Sequence, residues 1–150
     1  MSEELIQAVR EAVDAFNVAD WDRLGAVVTE DTAHEEPGTG RRVQGRDAFV
    51  KFVGAWKAAF PDAQGTVTDA FACDDRVTAR MTWEGTQSGA LELPGSGELP
   101  ATNRRMTMHG CQVYRMADGK IAESIHYFDM LGMLEQLGTI KAEELAHAGS

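Results

Sequence analysis

Three amphipathic helical stretches followed by a run of strand-like segments predict an α+β domain. Two observations carry this. Up to Phe60 the apolar residues recur at helical spacing, and after Pro61 the period falls to about two. Helices gathered at the front of the chain and strands at the back are the mark of segregated α+β architecture. A strongly curved antiparallel sheet wrapped on three N-terminal helices makes a cone, and a cone has an interior.

Leu5, Val9, Ala12 and Phe16 set the first helical stripe, widened by Ile6 and Val13, over about Ser2 to Val18. Ser2 is placed to cap it, and Glu3 and Glu4 complement the positive end of its dipole. Asn17-Val18-Ala19-Asp20 reads as a tight turn, and Asp20 caps a short second helix with Trp21, Leu24, Val27 and Val28 on its apolar face. A short extended piece, Thr32 to Glu36, stops at Pro37-Gly38. The third helix follows Gly45, buries Phe49, Phe52, Val53, Trp56 and Phe60, and ends at Pro61. Strands are then expected at Gln64–Cys73, at Val77–Glu84 with Val77, Ala79, Met81 and Trp83 inward, at Arg104–Arg115 and at Ile121–Asp129. Ser88–Asn103 reads as a loop or distorted hairpin, and Asp118-Gly119 as a hairpin turn with Gly119 at positive φ. Met130–Leu137 is a short helix closed by Gly138, and the tail from Thr139 either extends a helix through Ile140 and Leu145 or frays.

The 150 residues suit one domain, expected over 1–150, which can bury about 70% of its unfolded surface without a disulfide or metal. A formal net charge of −10 repels phosphate backbones and argues against nucleic acid as a partner. No apolar run approaches the roughly 18 residues of a membrane helix, so no membrane partner is expected. The acidic start, Met1-Ser2-Glu3-Glu4, does not resemble a signal peptide, so a cytoplasmic location is expected. Cys73 and Cys111 stand alone, and His34, His109, His126 and His147 form no metal-ligand spacing. No phosphate loop or nucleophile elbow is present, so the expected cofactor and metal content is none.

The last hairpin holds the densest set of titratable groups in an apolar setting. On its final strand Ile121, Glu123, Ile125, Tyr127 and Asp129 share one face, and its larger aliphatics assign that face inward. Pairing Met116 with Lys120 across a three-residue loop sets Val113 opposite Glu123, Cys111 opposite Ile125 and His109 opposite Tyr127. His109 then shares the interior with Glu123 and Asp129, and these three are the catalytic candidates. A one-residue slip instead brings His109 beside His126 and Phe128. A carboxylate enclosed by apolar side chains becomes a weaker acid, which suits general acid/base work. The plainer reading is an ion pair of Glu123 with Arg80 or Arg115, a helix cap at Asp129 and a core histidine at His109. The cavity wall for a hydrophobic small molecule is assigned to His34, Trp56, Phe60, Met81, Trp83, Cys111, Ile125 and Tyr127.

Several pieces in order resemble one family. They are Asn17-Val18-Ala19-Asp20-Trp21, Ala33-His34-Glu35-Glu36-Pro37, Gly45-Arg46-Asp47-Ala48-Phe49, Phe60-Pro61-Asp62 and Gly85-Thr86-Gln87-Ser88-Gly89. The C-terminal run adds His109-Gly110, Asp118-Gly119-Lys120-Ile121, Glu123, Phe128-Asp129 and Gln136-Leu137-Gly138. Over about residues 4–138 the chain resembles the SnoaL-like polyketide cyclases, or ester cyclases, of the nuclear-transport-factor-2-like superfamily. The resemblance implies a cone-shaped α+β barrel with a deep apolar cavity and a homodimer formed through the open sheet. It also implies cofactor-free aldol closure of a polyketide ester ring, with an acid on a late strand and a His on the neighbouring strand. By position those roles go to Glu123 or Asp129 and to His109; the family's acid is Asp, where the strand here has Glu123. Relatives on the same fold include isomerases, epoxide hydrolases and binding domains. An epoxide hydrolase would draw its cation from Arg80 or Arg115.

Overall fold

The computed structural model describes residues 2–93 and 97–140. Helices α1 (Ser2–Asn17) and α2 (Trp21–Ala26) precede strands β1 (Val28–Glu36) and β2 (Arg41–Gln44), then α3 (Arg46–Ala59). The chain continues through β3 (Gln64–Cys73), β4 (Arg76–Thr86), β5 (Leu91–Leu93), β6 (Gly97–Leu99), β7 (Arg105–Ala117), β8 (Lys120–Phe128) and α4 (Met130–Gln136). The part of the expected tail beyond Ile140, including Leu145, lies outside the described residues.

Six strands form one curved sheet in the order β2-β1-β8-β7-β4-β3, and β5 pairs with β6 in a separate arm. The sheet is mixed rather than wholly antiparallel, because β1 runs parallel to β8. The sequence shows a lone extended piece among helices but not which strand it joins; here the first strand becomes the neighbour of the last. It is also longer than its apolar content suggests, since its acidic start, Glu30 and Asp31, faces solvent.

Local chemistry fixes the corners. Asp20 accepts the Arg23 N–H as the α2 cap, and Ala19 takes the left-handed conformation that closes the turn (φ 55°). Asn17 then behaves like a strand residue: its Nδ2 donates to Gly65 O at 2.9 Å, and its Oδ1 accepts from Gly65 N at 2.7 Å. The Lys57 ammonium donates to Asn17 O and Ala63 O, tying the ends of α1 and α3 together. Partial burial lowers its pKa.

One packed region gathers Val9, Val13, Leu24, Val77, Ala79 and Met81 between the helices and the sheet. Met81, 1% exposed, is core there. A second gathers Phe60, Leu91, Met106, Met108, Met133 and Leu137 at the other end. The arm leaves the sheet through Gln87, which is fully buried. Its backbone bonds to Arg104 O and to Asn103 N–H. Its carboxamide reaches the Gly89, Leu99 and Pro100 carbonyls and accepts from the Thr102 hydroxyl.

The hairpin between β7 and β8 has a two-residue turn, with Asp118 and Gly119 both at positive φ and Ala117 paired with Lys120. Three residues further, Arg115 pairs with Glu123 while Met116 pairs with Ile121, so Ala122 is an extra residue in β8. This bulge buries both Ile121 and Ala122, and the inward parity of the strand changes there. Beyond it the inward side chains are Ser124 and His126, while Glu123, Ile125 and Tyr127 turn outward.

Candidate active site

The concave face of the sheet and the helices enclose a cavity of about 110 Å³. Its wall is mostly apolar, from Val13, Phe16, Phe49, Val53, Phe60, Met106 and Met108 among others. Such a volume approaches that of engineered apolar cavities of about 150 Å³ that take up benzene.

The polar groups converge from three neighbouring strands. On β1, His34 and Glu36 are two residues apart and so share the inward face; they are 4% and 3% exposed. From β8 come Ser124 and His126, and from β7 Gln112 and Tyr114. Glu36 is held on both oxygens. Trp56 Nε1 donates to Oε2 at 3.1 Å, and the Thr39 hydroxyl donates to Oε1 at 3.2 Å. His34 Nε2 lies 3.6 Å from Glu36 Oε2, and His34 Nδ1 lies 2.7 Å from Ser124 Oγ. The Ser124 hydroxyl and His34 Nδ1 share one hydrogen bond, whose direction the tautomer of the ring sets. His34 thus bonds Ser124 and has Glu36 beside it, with Phe49 and Phe52 packed against the imidazole.

His126 stands apart from these three. Its ring lies 4.9 Å from the Phe128 ring and 6.1 Å from the Trp83 ring, centroid to centroid. Burial, with a smaller push from the nearby His34, lowers its pKa to about 3, so it is neutral at pH 7. Burial likewise raises the Tyr114 phenol and keeps it protonated. Among the described residues no group of three or more His, Cys, Asp or Glu side chains is placed to hold one metal ion.

The residues expected from sequence divide sharply. His34, Trp56, Phe60 and Trp83 line the cavity, whereas Met81 packs in the core beside it. Cys111, Ile125 and Tyr127 do not line it: Cys111 pairs with Tyr127 on the outward face, and Tyr127 is 50% exposed. The three expected catalytic groups also lie elsewhere. Glu123 faces outward and meets Arg115 at 3.7 Å. Asp129 caps α4, its Oδ1 accepting the Gly132 N–H at 2.8 Å. His109 is exposed and bonds Thr82 Oγ1 across the strand pair. The cause is the Ala122 bulge for β8, and for β7 the even-numbered inward face of Met106, Met108 and Gln112. Arg80 is exposed on β4 and Arg115 is engaged with Glu123, so neither offers the cavity a cation. Glu36, Ser124 and His126 carry the polar wall instead. The spacing of His34 and Glu36 on one strand was the available signal.

The sequence profile of the SnoaL-like polyketide cyclases matches residues 6–137. The chain belongs to this family. No curated protein matches it. Among solved structures, this SnoaL-like chain is similar to AclR, a candidate hydroxylase from Streptomyces galilaeus. The identity is 27% and the TM-score 0.78, over 94% of this chain and 100% of that one. It is 29% identical to IdmH, a candidate polyketide cyclase from Streptomyces antibioticus, with TM-score 0.75 over 89% and 98% of the two chains. A candidate ketosteroid isomerase from Kribbella flavida shares the fold at 20% identity, with TM-score 0.64 over 85% and 79%. Several SnoaL-like sequence pieces have structural jobs here. Asp62 accepts the Thr86 N–H, Gln87 roots the arm, and Gln136 bonds both the N–H and the carbonyl of Thr107.

Proposed function

We propose that this protein is a polyketide cyclase-like acid/base catalyst that moves a proton at a carbon next to a carbonyl in a small apolar compound. The observation that carries the reading is Glu36, a buried carboxylate in a mostly apolar cavity, fixed by Trp56 and Thr39 and with His34 beside it. The similarity to a candidate polyketide cyclase at 29% identity supports the same class.

Glu36 takes the proton from the carbon. The C–H electron pair becomes an enolate, whose carbon attacks a second carbonyl of the same molecule to close the ring. The alkoxide so formed takes its proton back from the Glu36 carboxyl group, so the enzyme returns unchanged. Fixed donors near the developing charge lower the barrier, because they need no reorganisation as the reaction proceeds. Double-bond isomerisation shares the first step and differs only in the carbon to which the proton returns.

The test is solvent deuterium exchange into acetophenone and α-tetralone, followed by NMR. Wild-type protein accelerates exchange, and Glu36→Gln loses at least about 100-fold while its circular dichroism is unchanged. Exchange at the wild-type rate in Glu36→Gln refutes the assignment, as does wild-type exchange no faster than buffer.

A further inference from the structure

Two buried nitrogens on rings that line the cavity lack partners among the described residues. Trp83 Nε1 and His126 Nε2 are closed off from solvent and meet no hydrogen-bond partner among the described residues. Buried polar groups are nearly always paired, so two unmet nitrogens on rings in contact with one cavity point to a ligand that pairs them. His126 is only 6% exposed.

Both rings are deliberately seated over glycines. The benzo edge of Trp83 lies on Gly65, where a Cβ would collide with Cζ3 and Cε3. Nε1 sits on the opposite edge of the indole, so it faces away from β3. The His126 imidazole leans across β7, with Nε2 2.6 Å from where a Gly110 Cβ would stand. From β8 the ring thus reaches toward β4, which carries Trp83, and the two ring centroids are 6.1 Å apart. Glu36 and His34 stand on β1, on the other side of β8.

We propose that Trp83 and His126 form a subsite for a neutral carbonyl oxygen of the ligand, which accepts from the indole N–H and the imidazole Nε2–H together. The proposal deepens the acid/base reading and rests on it for the assumption that a carbonyl compound occupies the cavity. Neutral, rather than carboxylate, oxygen follows from the surroundings. No Lys or Arg is among the described residues lining the cavity, while Glu36 is. Burial keeps the His126 ring uncharged, so it offers a dipole and no countercharge.

Acetophenone and α-methylstyrene have nearly the same shape and differ in C=O against C=CH₂; benzoate supplies the anionic counterpart. Their affinities are measured by titration against wild type, Trp83→Phe and His126→Leu. Each substitution lowers acetophenone affinity about fivefold, the worth of one hydrogen bond, and leaves α-methylstyrene affinity unchanged. In nitrogen-15 spectra of the wild-type protein, acetophenone moves the Trp83 indole N–H signal downfield and α-methylstyrene does not. Benzoate binds more weakly than acetophenone. Equal losses for both neutral ligands, an unmoved indole signal, benzoate binding as tight as the ketone, or no acetophenone binding up to its solubility limit each overturn the subsite. Should Trp83→Phe fail to fold, the indole signal of the wild-type protein decides. Binding needs no turnover, so a protein inert in deuterium exchange can still pass, and the two readings fail separately.

Discussion

Replacing His126 with leucine makes the protein more stable, and increasingly so as the pH falls. The imidazole is buried against Phe128 and Trp83 with Nε2 unpaired. Removing an unmet buried polar group for an apolar one of similar size gains about 1–3 kcal/mol before any packing mismatch. Protonation adds a second contribution. The folded pKa is about 3 against 6.5 for the free side chain. As the pH drops below 6.5 the unfolded chain binds the proton and the folded chain does not, so the wild type loses stability down to about pH 3. Linkage sets the slope at about 1.4 kcal/mol per pH unit, or about 2 kcal/mol lost by pH 5. The leucine variant has no such loss. Urea unfolding at pH 7, 6 and 5 reads the stability gap between the two proteins, which widens by about 2 kcal/mol across the series. A constant gap would show that the imidazole is solvated or paired in the folded state, and the description of this part of the cavity would be wrong.

Further outcomes follow from particular contacts. Gly110→Ala forces a methyl group into the His126 ring and close to the Tyr127 carbonyl and costs about 1–3 kcal/mol by urea unfolding; with His126→Ala the two costs add to less than their sum, because the ring contact is gone. Asp129→Ala removes the α4 cap and costs about 1 kcal/mol, while acetophenone affinity stays as in wild type. Glu123→Gln breaks only a solvent-exposed pair with Arg115, so stability changes by less than about 0.5 kcal/mol and deuterium exchange is unaffected.

Much of the fold is legible in the chain, because the stripes through Leu5–Phe16 and Phe49–Phe60 and the alternation of Val77–Trp83 are each set by one period. The Asp20 and Asp129 caps are legible for the same local reason. The partner of β1 is not, since its mate lies some ninety residues away (His34 beside Ser124) and no local signal names it. The inward face of β8 lies one residue away from the expected one. Ala122 is small and apolar, and nothing in its neighbours announces a bulge; yet it inverts every side chain from Glu123 to Tyr127. Side-chain chemistry points to the same expected face. Ile125 and Tyr127 look like core residues, while Ser124 and His126 look like a wet surface, because a polar cavity wall reverses the usual rule of apolar inside. Glu36 was hidden in the same way: in a run with Glu35 it reads as solvated charge, and only its step of two from His34 sets it inside.

The Gln87 junction fixes the base of the β5–β6 arm independently of its tip. All its bonds run to the arm's two ends, and they hold the close of β4 and the approach to β7 in place from inside the fold. Among the described residues the arm supplies none of the cavity wall. Changes beyond the Leu91–Leu99 pair therefore leave the cavity-lining residues in place, as long as the packing of Leu93 on the cluster of Phe60, Met106 and Met108 is kept. A lineage built on this fold can revise what surrounds the cavity without renegotiating what happens in it.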